Sequence, residues 1–404
     1  MGSGKYGLPP LTLLNDLPAT AGRVFDENPE ETVKIIQDVL NEFGVAALVT
    51  RFETGPATTS YEITPGFGVR VERISGLGRS LARALQVRGL RIQAPIPGKS
   101  TCGIEVPSAE RTYVYLREAV ESSAFHNPDI ALPLVLGKDV RGQIEVGDLA
   151  AMPHLLIAGA GGMGKTVFIN SLLLGLLLAR TPEQVNLILI DLKKIEFCLY
   201  EFIDHLALPI ADEPKTAVSS LHWAVEEMNR RYELFKTAKV RDIKSYNALD
   251  VKEGEASGEA TLSRLPHIVI IVDEFAELMS AARKEVEPCI VRLAQLSRVA
   301  GIHMVLASQR PSGNVFTDSI KVNIPARIAF RTAEGNDSRA IINAIGAEEQ
   351  PDKGAMFYLP QGQNKPVLLQ GAWTSDEEIR RVTSWICSHQ PEQKGLAASG
   401  ITGT

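Results

Sequence analysis

From about residue 132 onward the chain alternates two kinds of pattern. Short, nearly unbroken apolar runs fall at 154–160, 185–191, 267–273, 303–309, 326–331 and 355–359. Longer segments in which apolar residues recur every three or four positions fall at 165–180, 215–238, 284–300 and 375–388. An unbroken apolar run suits a strand buried on both faces, and the longer period suits a helix with one apolar face. Alternation of the two predicts an α/β fold with a mostly parallel central sheet covered by helices. A smaller α/β pattern comes first. A helix is predicted at about 29–43, with Glu30 and Glu31 in its first turn and Gly44 as its stop. Strand-like runs at 46–52 and 58–63, a helix at 75–88 and a strand at 90–94 follow. The expected organisation is an arm at 1–24, a small α/β domain at 25–131, a larger domain at 132–388 and a flexible tail at 389–404. The polar, Gly-containing stretch 250–264 reads as a mobile loop.

Composition narrows the class. With 404 residues, 45% hydrophobic and 22% charged, the chain is neither disordered throughout nor a coiled coil. Apolar runs stop short of the roughly 20 residues that a membrane-spanning helix needs. The best, 167–179, contains Asn170 and Ser171, and the first residues lack a signal-peptide core. Cys102, Cys198, Cys289 and Cys387 are scattered without a CxxC pair, which excludes a zinc site and fits reduced thiols in the cytoplasm. The net charge of −6 excludes a uniformly basic nucleic-acid binder, but not basic groups gathered on one surface.

The chemistry concentrates where strands end. Gly159-Ala160-Gly161-Gly162-Met163-Gly164-Lys165-Thr166, with Val167 opening the helix, matches G-x-x-x-x-G-K-[ST] between a predicted strand and a predicted helix. Loop N–H groups and the helix N-terminus would bind the phosphates of ATP, Lys165 would reach the β- and γ-phosphates, and the Thr166 hydroxyl would coordinate Mg2+. The apolar strand 267–272 delivers Asp273, expected to hold Mg2+ through water, and Glu274, expected to act as general base on the attacking water. Gln309 ends the strand at 303–309 and is placed to sense the γ-phosphate. Hydrolysis of this kind often uses an arginine from a neighbouring subunit. Arg298, Arg331, Arg230 and Arg231 are all candidates. Between residues 298 and 331 five basic residues face one acid, a local net charge of +4. Arg310 and Lys321, in and near the Pro311-Ser312-Gly313-Asn314 loop, suit contact with a phosphate backbone. Aromatic residues are sparse there, which favours duplex over stacked single strands.

These residues, together with Glu42-Phe43-Gly44-Val45, Leu136-Gly137-Lys138-Asp139, Glu227-Met228-Asn229-Arg230-Arg231-Tyr232, Gln309-Arg310-Pro311-Ser312 and Asp337-Ser338-Arg339, make the chain resemble the motor region of the FtsK/SpoIIIE double-stranded DNA translocases from about residue 8 to 386. The resemblance implies a RecA-like P-loop NTPase domain and a smaller α domain. It also implies a homohexameric ring on duplex DNA, driven by ATP and Mg2+ in chromosome partition or mobile-element transfer. It assigns the trans-acting role to Arg298 and channel positions to Arg310 and Lys321. A ring ATPase of secretion or conjugation is the alternative. Gly161, Met163, Thr166, Leu192 and Gly335 depart from the usual family residues, and Gly335 stands where a channel lysine is common. The membrane-spanning and winged-helix γ regions of full-length members have no counterpart in the sequence. The chain is therefore expected to be either the soluble, cytoplasmic motor portion of a membrane-anchored protein or a shorter relative, with no direct membrane contact.

Overall fold

A computed structural model describes residues 6–18, 29–55, 58–87, 89–96, 98–107, 113–249, 264–351 and 354–389. The expected mobile loop, apart from Arg264, lies outside the described residues, as do the tail beyond His389 and residues 1–5 and 19–24 of the expected arm.

The N-terminal sheet has four antiparallel strands, β1 (Ala47–Thr54), β2 (Thr58–Pro65), β3 (Arg91–Gln93) and β4 (Cys102–Pro107), in the order β1-β2-β4-β3. Thr59, Tyr61 and Ile63 of β2 are buried in strict alternation, so one face meets a core and the other does not. That core takes Ile36, Val39 and Leu40 from helix α1 (Pro29–Glu42), Ile74 from α2 (Val71–Ser75) and Leu81 from α3 (Gly78–Ala84). The single helix expected at 75–88 is thus two short ones. Leu77 between them is buried in the core, and Gln86 at φ 56° ends helical geometry before residue 88.

The second sheet has nine strands. After a two-residue strand β5 (Val114–Tyr115) come β6 (Pro133–Asp139), β7 (Ile144–Asp148), β8 (His154–Ala158), β9 (Val185–Ile190), β10 (His267–Val272), β11 (Ile302–Ser308), β12 (Ala326–Phe330), β13 (Ala355–Leu359) and β14 (Val367–Gln370). Their order is β7-β6-β14-β13-β12-β8-β11-β10-β9. The five strands from β12 to β9 are parallel, whereas β13, β14, β6 and β7 extend the sheet antiparallel. The mostly parallel sheet expected from the sequence is therefore parallel only in that half. Helices α4 (Leu116–Val120), α5 (Lys165–Ala179), α6 (Pro214–Thr237), α7 (Ile243–Asn247), α8 (Phe275–Ala300), α9 (Asp318–Asn323), α10 (Gly335–Ile342) and α11 (Asp376–Ser388) cover it. Leu155 and Ile157 of β8 enter one core with α4, α5 and α11, while Leu156 and Ala158 enter the other with α6 and α8. Successive residues thus face opposite layers, which is why the parallel strands read as unbroken apolar runs. Helix α5 is apolar all round because the sheet covers one side and α4 and α11 the other. Helix α8 starts nine residues ahead of the expected 284 and kinks at Ala282, whose φ is −145°. Among the described residues no helix is long and apolar enough to cross a membrane.

The expected division at 131/132 does not follow the cores. Leu116, Ala119, Val120 and Phe125 are buried in the larger core, and β5 pairs with β15 (Ala372–Trp373). Residues ahead of α1 join the same body. Leu14 is buried there, the Asn15 amide donates to Glu378 Oε1 at 2.9 Å, and Arg381 Nε donates to the Leu13 carbonyl at 2.7 Å.

Three of the parallel strands carry histidines at the edge where they begin. His267 Nδ1 lies 3.1 Å from His303 Nε2, and His303 Nδ1 lies 3.0 Å from the Pro153 carbonyl. Burial pushes His154, His267 and also His205 down to about 4, and His303 well below its ordinary value. A depressed folded-state pKa means that unfolding takes up protons in acid, so this stability is complete above about pH 6.5 and is lost as pH falls toward 4. Urea midpoints measured between pH 7.5 and 5 should fall, the four histidines taking up roughly three to four protons near pH 5 and Asp273, held at about 7 in the folded chain, releasing about one, a net of roughly two to three per molecule. A flat profile across that window would show the histidines are not held neutral.

Candidate active site

The parallel register builds the site. Ser308 pairs with Ala158, Leu306 with Val272 and Val272 with Ile190, so four strands end within two residues of one another at the same edge. The residues that follow, Gly159, Gln309, Asp273 and Asp191, share the carboxyl edge of the sheet, where α/β folds place ligands.

The loop between β8 and α5 is held at both ends. The Gly159 amide donates to the Ser308 carbonyl at 3.3 Å and the Ala160 amide to the Arg331 carbonyl at 2.8 Å. Gly159 has φ +153°, and a Cβ there would lie 2.6 Å from Phe330 Cβ. Gly164 has φ +110°, and its Cβ would come within 3.0 Å of the Gly354 backbone. No side chain fits either place. The Met163 carbonyl accepts from the Gly354 amide at 3.0 Å, and its side chain packs against the core, so this unusual residue fits the loop. Thr166 and Val167 follow Lys165 in the first turn of α5.

Lys165 is buried and donates to the Gly159 and Ala160 carbonyls at 2.7 and 3.1 Å. Burial pushes its ammonium down to about 8 against the opposing pull of Glu274 and Asp273. Asp273 is pushed up to about 7 by burial first, then by Glu196, Asp191 and Glu274. Glu274 directly precedes α8. Its Oε1 accepts from Ser308 Oγ at 2.7 Å, and both its oxygens lie 3.1 Å from the Gln309 amide. Lys193 stands 3.8 Å from it. The Gln309 side chain borders Gly161, whose Cβ would lie 3.1 Å from Gln309 Oε1.

Glu196 is a residue the sequence reading missed. It lies in an irregular loop where no periodicity marks it. Thr166 Oγ1 points to its Oε1 at 3.4 Å. Asp191 positions that loop: its carboxylate accepts from the amides of Lys193, Ile195, Glu196 and Phe197 at 2.8–3.3 Å. Thr166, Asp273 and Glu196 supply hard oxygen donors. Among the described residues no cluster of three or more His, Cys, Asp or Glu forms a complete metal cage. This donor set fits Mg2+, which takes one or two protein ligands and completes its shell with phosphate and water.

The arginine candidates separate. Arg231 is buried and donates to Glu227 and to the carbonyls of Pro266 and Ala300, so it ties elements together. Arg230 pairs with Glu227 at 2.6 Å. Arg331 sits beside the loop of its own chain. Arg298 is exposed in the last turn of α8, at the edge where β11 begins, about 20 Å along that strand from the site. Of the basic stretch, Arg310 is exposed directly after Gln309. Lys321 pairs with Asp318 at 3.1 Å. Arg327 is buried against the carbonyls of Lys321, Ile324 and Ile341, so the surface charge is smaller than the sequence count. Gly335 opens α10, where a Cβ would lie 2.8 Å from Glu348 Oε1.

The FtsK/SpoIIIE family profile matches residues 115–313, and the FtsK alpha domain profile matches residues 8–108. Similarity to a DNA translocase FtsK of Caldanaerobacter subterraneus subsp. tengcongensis is 46% identity over 396 residues, covering 97% of this chain and 54% of that protein. The chain belongs to the FtsK/SpoIIIE family. To DNA translocase SpoIIIE of Bacillus subtilis it is 43% identical over 388 residues, covering 96% of this chain and 49% of that protein. The chain thus spans about half the length of these FtsK/SpoIIIE relatives. The conjugation coupling protein TcpA of pCW3, solved with ATPgS, shares the fold at TM-score 0.60 and 21% identity, over 89% of this chain and 99% of that one. The cytoplasmic domain of the type VII secretion ATPase EccC of Thermomonospora curvata aligns at TM-score 0.59 and 25% identity, over 70% of this chain and 35% of that one. The fold is that of P-loop ATPase motor domains.

Replacing Asp191 by Ala removes a buried acceptor of four amides. The expected cost is at least about 2 kcal/mol in chemical denaturation. Protease cleavage within 192–197 should rise under native conditions, and an unchanged cleavage rate would show that the loop is held by other contacts.

Proposed function

We propose that this chain is an ATP-hydrolysing motor that moves along double-stranded DNA as a homohexameric ring. The observation that carries the proposal is the convergence of Lys165, Thr166, Asp273, Glu274 and Gln309 on one sheet edge, in a chain similar along almost all its length to proteins named DNA translocases.

Loop amides and the start of α5 bind the phosphates. Lys165 turns from the carbonyls of Gly159 and Ala160 to the β- and γ-phosphates. Thr166 and Asp273 would hold Mg2+, which spreads the charge of the transferring phosphoryl group. Glu274 takes the proton of the attacking water. Ser308 Oγ and the Gln309 amide fix its direction, and Gln309 reports the γ-phosphate.

Arg298 lies too far from its own loop to serve it, which supports action in trans on the next subunit of the ring. Ser308 Oγ, which donates to Glu274, accepts from the amide of exposed Arg310 at 3.1 Å, so changes at Glu274 would reach a cation suited to a phosphate backbone. Lys321 would exchange Asp318 for phosphate. These contacts carry no sequence information and suit a pump that acts on any duplex.

Three measurements test this. ATPase activity should rise strongly with long duplex DNA and not with single strands. Indifference to duplex would favour a protein-pumping ring instead. Glu274→Gln should keep nucleotide binding and lose at least about a hundredfold in turnover; Lys165→Ala should lose binding. Arg298→Ala and Glu274→Gln subunits, each inactive alone, should recover activity when mixed, because intact Glu274 and intact Arg298 then meet at shared interfaces. Failure to recover in mixed rings would place the arginine in cis or elsewhere.

A further inference from the structure

A cavity of about 190 Å3 opens directly beside the phosphate loop. Gly162, Gly164, Val167 and Phe168 form one wall, and Tyr113 and Trp373 stand on the other. Neither aromatic ring is fully covered: Tyr113 is 49% exposed and Trp373 is half-buried. Their ring centroids are 5.2 Å apart with planes 49° apart, and Tyr115 meets Trp373 edge-on at 5.8 Å. The indole is thus braced from behind.

This wall is fastened to the loop. Trp373 and Tyr115 are partners in the β15–β5 pair. Ser171 Oγ on α5 donates to the Ala372 carbonyl at 3.0 Å. The Gly371 amide donates to the Gly354 carbonyl at 2.8 Å, and the Gly354 amide to the Met163 carbonyl at 3.0 Å. An apolar slot with two rings is therefore held at a set position from the phosphate-binding amides. A flat heteroaromatic ring attached to phosphates fits that combination.

We propose that Tyr113 and Trp373 are the platform on which the purine base of the bound nucleotide stacks. The assignment rests on the reading of residues 159–166 as a nucleotide phosphate site. Stacking acts on the base alone, so it adds affinity for a nucleotide and none for a bare phosphate chain.

The test is calorimetric titration of the full chain with ADP and with inorganic pyrophosphate. Trp373→Ala and Tyr113→Ala should each weaken ADP about tenfold and leave pyrophosphate unchanged. Unchanged pyrophosphate binding also shows that the variant has folded. Trp373→Phe keeps a ring and should restore ADP affinity to within about twofold of the parent. Equal losses for both ligands, or no loss for ADP, would overturn the platform. A parent chain that binds neither ligand overturns the phosphate-site reading itself, and the platform with it. Binding of pyrophosphate by the parent with no gain for ADP overturns the platform alone.

Discussion

The burial of negative charge at one end of the parallel strands governs how this site is built. Asp191, Asp273 and Glu274 are buried where β9 and β10 end, and Glu196 approaches them from the following loop. Such groups are tolerated only when other groups satisfy them. Asp191 is satisfied by four amides and Glu274 by Ser308 and the Gln309 amide. Asp273 receives no hydrogen bond from the described residues, and burial beside three carboxylates lifts it to about 7. Lys165, the buried cation of the site, is occupied by loop carbonyls. The arrangement is short of positive charge at Asp273, and a divalent cation brought in with a polyphosphate would supply it.

The parallel half of the large sheet was readable because burial on both faces writes itself into the sequence as apolar runs. Residues 267–272 and 303–308 show it most clearly. The antiparallel half was mostly missed. Strand β6 starts at Pro133 and contains Gly137, both of which read as turn signals. Strand β7 is only partly buried and carries Glu145 and Asp148. The phosphate loop and the Asp273-Glu274 pair stood out because both follow apolar strands directly. Glu196 did not, since its position depends on four hydrogen bonds to Asp191 rather than on a periodic element. Charge counting also misled at Arg327. A guanidinium that satisfies three main-chain carbonyls inside the fold looks the same in sequence as one on the surface.

The two halves of the large sheet hold the loop from different sides. Strand β11 provides the Ser308 carbonyl on one flank, while Gly354, just before β13, meets Met163 on the other. Helix α5 is covered on all sides, so its start is fixed by packing as well as by these bonds. The small sheet touches this body elsewhere: Arg91 lies over the Phe357 ring at 5.0 Å and 3.6 Å from Glu105. The smaller body is therefore positioned against β13 and not against the phosphate loop.

The fastening of residues 13–16 has a mechanical meaning. Arg381 and Glu378 grip this segment from α11, and Arg117 reaches Asp16 at 2.6 Å from α4. Tension applied to the chain ahead of Leu8 enters through these bonds, which lie one helix away from α5. The load path therefore runs into the ATPase body directly and leaves the four-stranded layer unstressed, although that layer comes next in the chain. A pull at this end would be borne by the nine-stranded body, with the small layer off the line of force.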